Sequence, residues 1–574
     1  TNAIVHVAPG KTIENGTVLI RDGMIINVGG NVKIPKQATI LDMDGKHIYA
    51  GFIESWLDVK TVKKDTSLQA HWNSNMRAYL KGADHFNLKE KSLIELRSLG
   101  FTTAHVTPKG GIFQGSSGLV QLGQTPKVLS DNVAQVVEYT AGGWGSNEYP
   151  TSLLGVIAFI RQGFLDADWY GKSQTILTKY PDGNEPIQSD RSLASLTSAR
   201  QKKIPFVFRT DNEVYIDRSA NIAEEFDLNL WIKGNGYEYR RIDEMPASFM
   251  IVPLNFAAKP EVDDPYNALQ YSTEQLKHWD MAPDNAAKLA AAGFQFAFTS
   301  DGLKNKSDFR KNLSRVVNRG LAESDALAAL TTNPAKELGE SKRLGKVAPG
   351  FIANLVITDG NYFDEKSKVN TVWIDGNKYD VAPDPLVEVA GIWNLLEGEN
   401  TWKLILETNK SMREDNRNIS GELKIDEKSL KLKKFQLDQN RVSFSIDADT
   451  LLQKGVTRFL GAISNQTASG QVTYADGSTG LWSATLYDNL EKKVKKSKKE
   501  KASKLSLVFP EGAYGLDSAV PSPKTILVND ATIWTSGPKG VLKEWDILFQ
   551  DGKVKKIAKN ISLPRGNALI IEGK

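Results

Sequence analysis

The sequence predicts an α/β protein in which antiparallel β-domains flank a region of parallel strands joined by helical crossovers. Three observations lead there. Residues 1–50 are short apolar runs broken by turn dipeptides, segments 51–342 alternate between strand-like and helix-like patterns, and beyond Tyr379 short strands recur with little helical periodicity.

Composition limits the function classes. At 574 residues the chain is too long for one ordinary core and predicts two to four domains. An apolar fraction of 40% with 24% charge is that of a soluble globular protein, and no run is long and apolar enough for a membrane span. The formal charge of +4 is small, and much of the basic excess sits in one run, which argues against nucleic-acid binding. The absence of cysteine excludes disulfides, thiolate metal sites and thiol nucleophiles. The first residues, TNAIVHVAPG, already have strand character and no start Met or signal pattern, so a processed or trimmed N-terminus is expected.

Taken in order, Asn15-Gly16, Asp22-Gly23 and Gly29-Gly30 read as hairpin turns in a meander over residues 1–50. Its partners come much later, in the β-rich stretches 343–360 and 368–379, so the chain flanks are expected to pair into one composite β-domain over 1–50 and 343–383. Between them, GFTTAHVTP (100–108), IPFVFRT (204–210), LNLWIKG (228–234), SFMIVPLNF (248–256) and FQFAFTSDG (294–302) read as strands. EKSLIELRSL, SANIAEEFD and DALAALTTNPAKELG (325–339) read as helices, each a single element. The glycine-rich GGIFQGSSGLVQLG (110–123) reads as a tight turn or a loop that approaches a ligand, the turn being favoured.

Residues 388–487 predict an antiparallel β-barrel or sandwich, with Trp393, Trp402 and Trp482 as core residues by default or the lining of a cavity. The run EKKVKKSKKEKASK (491–504) holds eight lysines in fourteen residues and opens a solvated linker over 488–523. From 524 to 574 the order strand, Asp-Gly turn, strand, Pro, Gly-Lys repeats that of residues 1–46: Asp530-Ala531-Thr532-Ile533 answers Asn2-Ala3-Ile4-Val5, Asp551-Gly552 answers Asp22-Gly23, Pro564 answers Pro35, and Gly573-Lys574 answers Gly45-Lys46.

The run ILDMDGKHIYA followed by GFIESWLDVK (51–60), together with Thr332-Asn333-Pro334-Ala335 in the last helix, resembles the metal-dependent amidohydrolase superfamily, in particular imidazolonepropionase-like and tandem-repeat bacterial members. The resemblance implies a (β/α)8 TIM-like barrel over residues 51–342, with its chemistry at the C-terminal ends of the strands. It also implies a metal held by two His on strand 1, a His on strand 5, a His on strand 6 and an Asp on strand 8. Here those positions hold Trp56 and Asp58, Arg209, Lys233, and Asp301, so only the aspartate matches. Imidazoles offer a lone pair, whereas guanidinium and ammonium groups only donate and repel a cation. The expectation is therefore no metal in this chain: Arg209 or Lys233 pairs with Asp58 or Asp301, and Asp301 is a family catalytic position, vestigial or retained. The bland alternative is unrelated charges on loops. The six histidines (His6, His47, His71, His85, His105, His278) are scattered without ligand spacing, and His105 reads as a hydrogen-bonded core residue rather than a catalyst.

Two functions from different classes follow. In one, the intact protein is a tandem amidohydrolase acting on cyclic-amide or peptide-like C–N bonds, this copy being a scaffold and a second copy beyond Lys574 holding zinc or a similar divalent metal. In the other, this chain is a pseudoenzyme that binds a ligand or partner; a metal-independent hydrolase using Asp301 is a further alternative. The expected partners are that second copy or another completing chain and a small-molecule or peptide-like substrate, with neither nucleic acid nor a membrane span. The resemblance suggests an exported or periplasmic bacterial protein and leaves the cytoplasm open.

Overall fold

The computed structural model describes residues 1–61, 69–140, 148–182, 184–365, 367–382, 389–408, 419–425, 428–438, 440–447, 455–464, 466–488, 500–505, 523–562 and 568–573. Most of the lysine run, Val520-Pro521, Pro564 and Lys574 lie outside the described residues. Two compact units emerge: residues 1–258 with 281–503, and residues 259–280 with 504–574.

In the first unit, strands Ala3–Ala8, Lys11–Arg21, Met24–Gly29 and His47–Ala50 join Leu355–Thr358, Val369–Ile374 and Asn377–Asp380 in one seven-stranded sheet. The junction is the antiparallel pairing of His47–Ala50 with Leu355–Thr358, in register from Leu355 opposite Ala50 to Thr358 opposite His47. Ala3, Val5, Ile25, Ile48, Leu355 and Ile357 form its buried core. Asp22-Gly23 makes the expected turn, with both residues at positive φ (52° and 76°). Asn15-Gly16 does not turn. It lies inside Lys11–Arg21 as a bulge opposite Ala3, with Asn15 at φ 51°, and the turn falls instead at Pro9-Gly10.

Parallel strands form the middle of this unit. Phe52–Lys60 pairs in parallel with Phe101–Lys109. Gln135–Glu138, Phe206–Arg209, Leu230–Lys233, Phe249–Pro253 and Phe296–Thr299 form a parallel run of five. Helices Glu90–Ser98, Leu153–Lys179, Arg191–Gln201, Val214–Phe226 and Asn285–Ala291 lie in the connections. Asp190 caps one of them by accepting from the amides of Ser192 (2.8 Å) and Leu193 (3.0 Å). The result is a mixed α/β fold whose sheets nearly close into a barrel.

The regular eightfold alternation expected from the sequence does not extend around it. After Phe101–Lys109 the chain runs through three antiparallel strands, Phe113–Ser116, Gly118–Gln121 and Lys127–Ser130, with no α-helix between them. After Leu230–Lys233 come two 3-10 turns, Glu238–Arg240 and Ile242–Glu244. The glycine-rich stretch 110–123 is therefore a pair of buried strands rather than a turn. Gly115 is a steric necessity there: a Cβ on it, at φ 120°, would sit 2.4 Å from Leu80 O. The single helix expected at 325–339 is two, Glu323–Leu330 and Thr332–Glu337, broken where Thr331 leaves helical geometry at φ −131°.

Residues 391–488 form a nine-stranded antiparallel sheet. Trp393, Trp402 and Trp482 are all buried in its core, and the indoles of Trp393 and Trp482 donate to Val389 O (2.9 Å) and Leu460 O (3.1 Å). Two strands here, Lys428–Lys431 and Lys433–Asp438, were not expected from the sequence, although Leu430, Phe435 and Leu437 alternate with polar residues and pack against this core. Glu500 lies 2.8 Å from Arg315 Nε, and the Ser503 amide donates to Asp284 Oδ2 at 2.8 Å, so the end of the lysine run is anchored rather than merely solvated.

In the second unit, strands Thr525–Trp534, Val541–Gln550, Lys553–Ala558 and Leu569–Glu572 form a four-stranded sheet around Leu527, Leu548 and Ile561.

Candidate functional site

Parallel strands place equivalent side chains side by side at their C-terminal ends, and here that geometry assembles a row of charges. Glu138 is directly beside Arg209, and Arg209 beside Lys233, each the last residue of its strand. Asp58 lies near the end of Phe52–Lys60, and Asp301 two residues beyond Phe296–Thr299.

Both carboxylates at the expected positions are paired with protein cations. Arg209 Nη1 donates to Asp58 Oδ2 at 3.1 Å and Oδ1 at 3.4 Å, while Arg209 Nε lies 3.7 Å from Glu138 Oε1. Lys233 Nζ lies 3.1 Å from Asp301 Oδ2 and also donates to Gly234 O at 3.2 Å. The Lys233 side chain is only 5% exposed. Trp56 sits between the two pairs: its indole N–H donates to Asp58 Oδ1 at 2.8 Å, and its ring centroid is 6.0 Å from the Arg209 guanidinium carbon and 5.9 Å from Lys233 Nζ. The five positions singled out from the sequence thus belong to one cluster.

Burial works to raise the Asp58 carboxyl, but the hydrogen bond from Lys109 and the charge of Arg209 outweigh it and hold the group below its ordinary value. Burial likewise opposes the Arg209 cation, and the charges of Asp58, Glu138 and Asp301 more than compensate.

Several members escaped the sequence reading. Lys109 Nζ donates to Asp58 Oδ2 at 2.8 Å, and Gln114 Nε2 donates to Glu138. Lys109 and Glu138 were findable as the last residues of parallel strands, but Gln135–Glu138 spans only four residues and carries no alternation. Glu54, fully buried, joins Phe52–Lys60 to the end of Phe296–Thr299. Its Oε1 accepts from Thr299 Oγ1 (2.5 Å) and the Trp56 amide (3.2 Å), and its Oε2 from Ser300 Oγ (2.5 Å) and the Ser300 amide (3.0 Å). Lys306 Nζ donates to Ser300 O (2.7 Å) and Oγ (3.1 Å), completing the seam. Burial pushes the Glu54 carboxyl up, against the pull of the Ser300 and Thr299 hydroxyls.

His105 is fully buried and outside this charged row. Its Nδ1 faces Ser55 O at 2.9 Å, an acceptor, so Nδ1 carries the proton and Nε2 accepts from Ser117 Oγ at 2.7 Å. Burial pushes its pKa down to about 4.

The donor set does not suit a divalent cation. Arg209 and Lys233 have no lone pair to offer, and Asp58 and Asp301 already face positive groups. Among the described residues, no group of three or more His, Asp or Glu is placed to hold a metal ion.

Comparison with known proteins adds three findings. Residues 282–379, which include Asp301 and the helices Asp308–Asn318, Glu323–Leu330 and Thr332–Glu337 after it, match the model of the amidohydrolase family. Over 69 residues the chain is 42% identical to the amidohydrolase tasK of Hapsidospora irregularis, taking in 12% of this chain and spanning only 7% of that relative's length. The crystal structure of an amidohydrolase from Thermotoga maritima is similar in fold, with a TM-score of 0.53 at 23% identity over 66% of this chain and 98% of that one.

Proposed function

We propose that the chain is a member of the amidohydrolase superfamily and that its barrel is a non-catalytic scaffold within a tandem protein whose second copy hydrolyses C–N bonds in a cyclic-amide or peptide-like substrate, a reading supported by the family match over residues 282–379. The observation that carries this reading is the pairing of Arg209 with Asp58 and of Lys233 with Asp301, which puts protein cations against the two aspartates of the cluster. On this reading the two parallel sheets are a (β/α)8 barrel with two of its crossovers rebuilt, and zinc or a similar metal belongs to the second copy.

A charge-paired cluster also suits a pseudoenzyme that binds a ligand or partner at the barrel mouth. The metal-independent alternative fares worse, because the carboxylate that would act as base, Asp301, is held by Lys233. The test is elemental analysis of the purified chain together with turnover of N-acyl and cyclic-imide substrates, with and without added zinc. The expected result is neither bound metal nor turnover. Stoichiometric zinc that is lost in Asp301→Ala, or turnover that this substitution abolishes without unfolding, overturns the scaffold reading.

A further inference from the structure

Outside the charged row, two histidines meet across the parallel pair of strands Ala3–Ala8 and His47–Ala50. His6 Nε2 lies 2.9 Å from His47 Nδ1, with the ring centroids 5.2 Å apart and the ring planes 19° from parallel. The centroid distance exceeds the nitrogen gap by the two ring radii, so the rings meet head-on, edge to edge, and the facing nitrogens point at one another. One of them must carry a proton and the other a lone pair. On the far side of His6, Thr12 Oγ1 lies 3.3 Å from Nδ1, and the Tyr49 ring stacks on the imidazole face with centroids 4.1 Å apart. Both histidines are half-buried.

This contact tolerates one added proton and not two. A neutral pair makes it with His6 Nε2–H donating to His47 Nδ1 and the Thr12 hydroxyl donating to His6 Nδ1. Protonating His47 reverses the chain: His47 Nδ1–H donates to His6 Nε2, His6 Nδ1–H donates to Thr12, and both contacts survive. A second proton puts an N–H on each facing nitrogen, with no acceptor between them and two positive charges in contact. Burial lowers His47, against the opposing charges of Glu14 on Lys11–Arg21 and Glu323 at the start of Glu323–Leu330. Burial and the charge of His47 push His6 down to about 4.

From this pair a chain of contacts leads into the barrel. His47–Ala50 runs through Gly51 into Phe52–Lys60, the strand that carries Glu54, Trp56 and Asp58. Tyr49 Oη lies 3.3 Å from His47 Nδ1 and accepts from the Tyr362 amide at 3.1 Å. Tyr362 Oη donates at 2.6 Å to the carbonyl of Leu99, which ends the barrel helix Glu90–Ser98, and the Arg310 guanidinium carbon lies 4.8 Å from the Tyr362 ring centroid. We propose that His6 and His47 form an acid-released latch between the composite sheet and the barrel, closed while one facing nitrogen keeps its lone pair and opened when both imidazoles are protonated. The open form binds protons that the closed form refuses, so closure is complete above the ordinary histidine value of 6.5 and weakens as the pH falls toward 4.

The test follows amide protection in the full chain between neutral pH and pH 4 at Ile4, which donates to Lys46 O, and at Tyr362. Amides of the barrel strand Phe206–Arg209 serve as the reference, because they register global opening and the His105 titration. The expected result, relative to that reference, is protection at Ile4 and Tyr362 that falls by up to about tenfold per pH unit below 6.5, one net proton per opening, and that becomes independent of pH in His6→Gln. Side-chain NMR of the unsubstituted chain needs no variant: the two imidazoles should titrate in separate steps, His47 first. Loss of protection in step with the barrel amides, a slope that persists in His6→Gln, or imidazoles that titrate together near 6.5 overturns the latch.

Discussion

Replacing Lys233 with methionine removes the ammonium from the Lys233–Asp301 pair while keeping an unbranched side chain of similar reach beside Trp56. Breaking a buried pair by removing one partner costs about 3–5 kcal/mol, because the other charge is stranded. Two features of the site place the expected cost at the low end. The Asp301 side chain is 23% exposed, so water partly solvates it, and Arg209 still feels its charge. About 3 kcal/mol is therefore expected, roughly 6–12 °C on the melting transition of a domain of this size. The chain is multidomain, so calorimetry must resolve the barrel transition before a value is assigned. The decisive comparison adds Asp301→Asn. Neutralising the stranded carboxylate should recover most of the loss, giving a coupling of about 2 kcal/mol between the two positions. A cost for Lys233→Met below about 1 kcal/mol, as for an exposed pair, refutes the reasoning, as does the absence of recovery in the double variant.

Glu54→Gln tests the seam: an amide nitrogen at either carboxyl oxygen faces a backbone N–H that can only donate, Trp56 at one oxygen and Ser300 at the other, so a loss of about 2–3 kcal/mol and faster exchange at the Trp56 or Ser300 amide are expected from chemical denaturation and hydrogen exchange. Acid should weaken the fold in a predictable window. The folded-state pKa of His105, about 4, lies below its ordinary value of 6.5, so the unfolded chain binds the proton first; stability is full above pH 6.5 and falls by about 3 kcal/mol as the pH drops to 4, and His105→Gln should flatten that slope in urea titrations at stepped pH. Asp58, held below its ordinary value of 3.8, stabilises the fold above that pH and loses its contribution only on further acidification.

Elements that pack by their own pattern were legible in the sequence, and those specified by distant partners were not. Leu-Trp-Ile-Lys, Phe-Met-Ile-Val-Pro and Phe-Ala-Phe-Thr are apolar runs of strand length that end where the barrel strands end. Their last residues were readable as site positions for the same reason. Asn15-Gly16 has the composition of a turn, yet the pairing of Ala3 with Gly16 absorbs it into a strand. Lys428–Lys431 and Lys433–Asp438 are mostly exposed and lysine-rich, so their short alternation of Leu430, Phe435 and Leu437 is a weak signal that hydrogen bonds to neighbouring strands complete. The role of Glu54 depends on Thr299 and Ser300, about 245 residues away, and nothing local in Gly-Phe-Ile-Glu announces it.

The cluster is close to charge balance, which bears on how its members depend on one another. Four cations, Lys109, Arg209, Lys233 and Lys306, face four carboxyl groups, Glu54, Asp58, Glu138 and Asp301. In a partly buried site, removing a single charge leaves its neighbour uncompensated, while removing a cation and a carboxylate together preserves the balance. A divalent cation added beside Asp58 and Asp301 would bring two further positive charges against Arg209 and Lys233. Metal binding and these two ion pairs are therefore mutually exclusive arrangements of the same carboxylates. The change from one to the other requires more than one substitution, since replacing Arg209 alone leaves Lys109 and Lys233, and replacing Lys233 alone leaves Arg209 and Lys109, to repel the ion.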